Sequence, residues 1–160
     1  MKNKLVTIVL SLIITFLASQ SVFATKDFFT FELGSSLSGN SNLLSASQIG
    51  YLKTKENNFL HIFWGSLIDV HMERTSYIFG EIGYEKKLLN HPCYLNFSLG
   101  IGKVNLTSDF LSTNNMFTER ISLGYKKYYL SFRHMSNGGK LLGNRGENLG
   151  RNTITIGIRF

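Results

Sequence analysis

Residues 152–160 read NTITIGIRF, and their alternation decides the fold. Ile154, Ile156, Ile158 and Phe160 fall on one face; Thr153, Thr155, Gly157 and Arg159 fall on the other. Period two is the side-chain period of a strand, so this segment predicts a strand whose two faces meet different environments. One face is apolar to its last residue, while the other carries hydroxyls, a glycine and a cation.

The same pattern recurs upstream. Eight segments of about ten alternating residues are separated by polar breaks, the weak but repeated signal of a membrane-spanning barrel. The expected strands are Asp27–Ser35, Leu43–Lys53, Asn58–Leu67, Ser76–Lys86, Cys93–Lys103, Thr118–Lys126, Tyr128–Ser136 and Asn152–Phe160. The fifth is the clearest: Leu95, Phe97, Leu99 and Ile101 alternate with Asn96, Ser98, Gly100 and Gly102. The second has mixed faces, and its register is open. In hydrocarbon every backbone N–H and C=O must be paired, so strands cross only as a closed ring. The expected fold is therefore all-β: an eight-stranded antiparallel transmembrane β-barrel. At eight strands the interior is filled by side chains and is not a wide pore. Inward Glu32, Glu81 and Glu85 are expected to meet inward Arg133 and Arg159. A soluble sandwich or lipocalin-like barrel would alternate too. The aromatic-rich apolar face favours lipid, and the terminal Phe160 resembles the closing residue of bacterial outer-membrane barrels.

The other end agrees. Residues 1–24 carry Lys2 and Lys4, an apolar run from Leu5 to Leu17, and small side chains at Val22 and Ala24. That is the pattern of a secretory signal peptide. Removing 24 of 160 residues leaves 136, one domain spanning residues 25–160. The formal charge of +7 falls to +5 with Lys2 and Lys4 gone, and no Lys/Arg run resembles a nucleic-acid arm. Cys93 is the one cysteine, which excludes an internal disulfide. The expected location is the bacterial outer membrane. Strand ends near the termini and the Lys126–Lys127 turn then face the periplasm, and Thr107–Met116 and Asn137–Arg151 form outer loops.

RHMSNGG, residues 133–139, lies at the outer end of the seventh strand. Counting back by twos from Ser136 gives His134, Phe132, Leu130 and Tyr128, the apolar face. The spacing i, i+2 places imidazole and hydroxyl on one face, about 6.5–7 Å apart at the backbone. A neutral imidazole within reach of a serine can take its proton and make it a nucleophile toward an ester. Asn137, Gly138 and Gly139 bring an amide side chain and flexible N–H groups, the parts of an oxyanion site. Polar groups at a membrane rim are also ordinary, and H-x-S alone is a weak motif. His61, His71 and His91 lack ligand spacing with carboxylates or Cys93, and read as interior, loop and turn. Trp64 and the tyrosines read as interfacial anchors.

The stretch HMSNGGKLLGNRGEN, residues 134–148, resembles the lipid A 3-O-deacylase (PagL-type) family of outer-membrane enzymes. His134, Ser136, Asn137, Gly139, Asn144 and Gly146 match the family's pattern without a gap. FLHIFWGS, LGIGKVN and ERISLGYKK extend a weaker likeness along the chain. The resemblance implies Ser136 as nucleophile, His134 as general base, and an oxyanion hole from the Asn137 side chain and the Gly139 N–H. It implies an ester-linked 3-hydroxyacyl chain at the 3-position of lipid A (lipopolysaccharide) as substrate, and no metal or organic cofactor. Where the family has a histidine-orienting glutamate, this chain has Asn148, with Glu147 one step earlier. Asn148 shares parity with the lipid face and is the favoured third member; Glu147 stays open. Lys140, Arg145 and Arg151 read equally as contacts to lipid A phosphates and as charges of a solvated loop. The competing class is a non-catalytic small barrel for adhesion or membrane stability, with no dependence on Ser136. An oligomer is compatible with either.

Overall fold

The structure is a computed structural model, and it describes residues 25–36, 45–68, 74–88, 91–105, 114–137 and 151–160. The eight strands are β1 (Thr25–Ser36), β2 (Ser45–Lys55), β3 (Asn58–Ile68), β4 (Arg74–Lys87), β5 (Cys93–Asn105), β6 (Asn115–Tyr125), β7 (Tyr128–Ser136) and β8 (Arg151–Arg159). Each pairs antiparallel with the next, and β8 returns to β1 to close the barrel. The closing seam uses the last residue. Phe29 N donates to Phe160 O at 2.8 Å and Phe160 N donates to Phe29 O at 3.0 Å. No sheet edge remains, which is what hydrocarbon demands of a β structure.

The alternation read from the sequence is the inside–outside alternation of the wall. On β5, Leu95, Phe97 and Leu99 are exposed while Tyr94, Asn96 and Ser98 are buried. β8 likewise exposes Ile154 and Ile156 and buries Thr153 and Thr155. Ile156 is 67% exposed and Phe29 61%, and such side chains girdle the whole barrel. A continuous apolar surface of this size is stable only against lipid. The register of β2 is settled as well: Ala46, Gln48 and Leu52 point in, Ile49 and Tyr51 out.

Strand ends depart from expectation where the ladder runs further than the alternation. The sixth strand begins at Asn115, so Asn115 and Met116, expected in an outer loop, belong to β6. They pair with Lys103 and Gly102, and Val104 N donates to Asn114 O at 2.9 Å. Met116 is fully buried inside. The second strand runs to Lys55, where Glu56 and Asn57 make a two-residue turn with Glu56 at φ 54°. Lys126 repeats this at φ 55° in the Lys126–Lys127 turn. Left-handed backbone at a tight hairpin follows the right-handed twist of the strands it joins. The expected signal segment, residues 1–24, and the expected loop histidine His71 lie outside the described residues.

A charged network fills the interior. Glu81 receives Arg133 Nε at 3.1 Å and Arg120 Nε at 3.2 Å; Glu32 receives Arg120 Nη1 at 3.3 Å. Tyr129 OH and Thr155 Oγ1 donate to Glu32 at 3.0 and 2.6 Å, and Ser98 and Thr118 donate to Glu81. His61, fully buried, meets Thr30 at 2.9 Å. Two carboxylates and two guanidiniums balance, and hydroxyl donors add hydrogen bonds to both carboxylates, while Arg133 Nη2 and His61 Nδ1 have no hydrogen-bond partner among the described residues. Glu32, Glu81 and Glu85 were expected to meet Arg133 and Arg159, and they do: Arg133 joins Glu32 and Glu81, and Arg159 binds Glu85 at 2.6 Å near the termini. Arg120, not singled out from the sequence, completes the central cluster. Gly124 and Gly157 leave room for the Tyr94 and Tyr129 rings, which a Cβ at either position would strike. The interior is thus a filled core.

Candidate functional site on the outer wall

β7 carries Tyr128, Leu130 and Phe132 outward, 53%, 52% and 40% exposed, while Arg133 and Met135 are buried inward. His134 continues the outward ladder and is half-buried. Neighbouring strands show what surrounds it. One pleat below, the cross-strand row is Phe97, Ile121, Phe132 and Ile154, all exposed and apolar. At the level of His134 the row is Leu99, Glu119, His134 and Asn152. An acid, an imidazole and an amide therefore lie side by side on β6, β7 and β8, directly above hydrocarbon-facing wall.

Asn152 Oδ1 is 2.7 Å from His134 Nδ1. An amide oxygen only accepts, so Nδ1 carries the proton. In the neutral ring that leaves the Nε2 lone pair open as a base. Asn152 was legible as a lipid-face residue, not as the partner of His134. Glu119, exposed and directly opposite His134, was not singled out at all. Cross-strand neighbours have Cβ atoms about 4.5–5.5 Å apart, within reach of a glutamate side chain.

Ser136 shares the parity of His134 but is only 7% exposed, and it pairs with Phe117. Asn137 follows, fully buried and engaged by a polar or charged neighbour. The structure thus brings His134, Ser136 and Asn137 to one end of β7. Among the described residues no hydrogen bond joins the His134 ring to the Ser136 hydroxyl. Gly139, Asn144, Gly146, Glu147 and Asn148 lie outside the described residues, as do Lys140 and Arg145. Arg151 opens β8, half-buried opposite Met135. Among the described residues no group of three or more His, Cys, Asp or Glu side chains is placed to hold a metal ion.

No family model and no curated protein matches the sequence. Four solved chains are similar, two of them as follows. Neisserial surface protein A (NspA) superposes with a TM-score of 0.58 at 13% identity, over 85% of this chain and 97% of that one. The outer membrane enzyme PagL superposes with a TM-score of 0.54 at 15% identity, over 84% of this chain and 99% of that one. At such identities the likeness is one of fold. With the closed ladder and the apolar girdle, it makes this chain an eight-stranded barrel of the bacterial outer membrane.

Proposed function

We propose that the protein is a serine esterase that removes the ester-linked 3-hydroxyacyl chain from the 3-position of lipid A, working from the outer wall of the barrel. The observation that carries this reading is the His134–Asn152 hydrogen bond at 2.7 Å on the lipid-facing side of β7 and β8. Polar groups on that side are costly in hydrocarbon, and a defined tautomer of a histidine there is what a general base requires. The motif resemblance supplies the substrate.

In this reading lipid A diffuses sideways to the wall, its acyl chains staying in the leaflet. Ser136 Oγ attacks the ester carbonyl carbon as His134 Nε2 takes the hydroxyl proton. The oxyanion is held by the Asn137 side chain and the Gly139 N–H. Collapse breaks the bond to the sugar oxygen, which takes the proton from His134 and leaves as an alcohol. Water, activated by the same imidazole, then cleaves the acyl-serine and releases the 3-hydroxy acid. Asn152 holds the ring; Asn148 or Glu147 would complete the site from the connecting segment. The Ser136–His134 hydrogen bond forms as the ester binds, since catalytic contacts are often long before substrate arrives.

The competing reading is a non-catalytic surface barrel. The absence of that hydrogen bond and the likeness to a surface protein favour it. Incubation of the protein with purified lipopolysaccharide separates the two by mass spectrometry. The esterase lowers the lipid A mass by one 3-hydroxyacyl group and releases the free hydroxy acid; an unchanged lipid A supports the non-catalytic barrel.

A further inference from the structure

At the end of the barrel that carries the termini of β1 and β8, lysines follow outward tyrosines in three places. On β2, Tyr51 is followed two residues on by Lys53; on β4, Tyr84 by Lys86. At the β6–β7 hairpin the sequence is Tyr125, Lys126, Lys127, Tyr128. The four tyrosines are 37–53% exposed on the lipid-facing wall. Lys53 and Lys86 share that parity and stand one pleat nearer the rim, about 6.5–7 Å along the strand. Lys126 Nζ lies 5.4 Å from the Tyr125 ring centre, and Lys127 Nζ 5.4 Å from that of Tyr128. These ammonium groups are thus turned against the outer wall, not toward the lumen.

Their charge is not consumed locally. Among the described residues, Lys53, Lys86, Lys126 and Lys127 make no ion pair within 4.0 Å. Of the acids at this end, Glu85 is bound by Arg159 at 2.6 Å, and Glu56 is exposed in the β2–β3 turn beside the end of β4. Asp27 faces Lys53 in register. The hairpin and Lys86 are left with excess positive charge.

We propose that this end is a collar for anionic glycerophospholipid headgroups of the periplasmic leaflet. Aromatic rings settle at the level where hydrocarbon gives way to headgroups. Cations one step further toward water then stand at the depth of lipid phosphates and attract anionic lipids. A soluble acidic partner would approach the rim end-on. Ammoniums held against lipid-facing rings are reached from the side, along the path a lipid takes.

The test is native mass spectrometry of the barrel purified from outer membranes in mild detergent, with phosphatidylglycerol and phosphatidylethanolamine of identical acyl chains. The wild-type protein is expected to retain phosphatidylglycerol about fivefold over phosphatidylethanolamine. The combined Lys86→Gln, Lys126→Gln, Lys127→Gln variant is expected to bring the ratio near one. Lys103→Gln, at the opposite end of β5, is expected to leave it unchanged. Equal retention of both lipids by the wild type overturns the proposal whatever the variants do. So does a ratio that survives the triple substitution, or that falls equally with Lys103→Gln. The readout requires no catalytic activity, and stands or falls apart from the esterase reading.

Discussion

Asn152 on β8 accepts a hydrogen bond from His134 on β7 at 2.7 Å, across the last outward-facing row of the β7–β8 ladder. The contact sets the ring's tautomer and its rotation about the side-chain axis. If His134 is the base, Asn152→Ala frees the ring without emptying the site. Hydroxyacyl release is expected to fall about 10- to 100-fold, and Asn152→Asp to recover activity above the alanine variant, since a carboxylate also stabilises imidazolium. Timed mass spectra of lipid A measure both. An alanine variant as fast as the wild type removes Asn152 from the site.

Glu119 stands opposite His134 on the other side, on β6. In the esterase reading, a carboxylate at this place lies beside the positive charge that develops on the ring during attack by Ser136. Glu119→Gln is expected to slow release by about two- to tenfold and to make the remaining rate less sensitive to salt. Leu99, its apolar neighbour on β5, provides a control: Leu99→Ala in the same row is expected to leave the salt response intact.

The fold was legible because a lipid-facing barrel writes its inside and outside into every second residue. β5 and β8 needed nothing further. Strand ends were less legible, since backbone pairing continues through Asn115 and Met116 whether or not side chains alternate. Ion-pair partners were hidden for another reason. Inward parity marks Arg120, Arg133 and Arg159 alike, and only the stagger of neighbouring strands puts Arg120 beside Glu32 and sends Arg159 to Glu85. The same holds at the site. His134 and Ser136 were assigned to one face by counting, but the partner of His134 depends on the β7–β8 register. A connection running from residue 137 to residue 150 conceals that register in the sequence.

The interior network carries a stability expectation. Arg133→Ala leaves Glu32 and Glu81, both fully buried, with Arg120 as their remaining guanidinium. A loss of about 3–5 kcal/mol is expected on urea unfolding in lipid vesicles. Retention of full stability would mean that the network is solvated.

The apolar wall can be probed at Ile156, 67% exposed on β8. Ile156→Arg is expected to lower folding stability in a bilayer by about 2–4 kcal/mol, the cost of a cation near the midplane. In detergent, whose headgroups adapt around a charge, the loss is expected to shrink. Equal effects in both media would place Ile156 away from hydrocarbon.

The most direct measurement of the catalytic claim compares wild-type, Ser136→Ala and His134→Ala proteins on purified lipopolysaccharide, each first shown to migrate as a folded barrel before heating. The account expects the wild type to release a 3-hydroxy acid and lower the lipid A mass by that acyl group, and both variants to leave lipid A intact. Release that persists at the wild-type rate in either folded variant would contradict it.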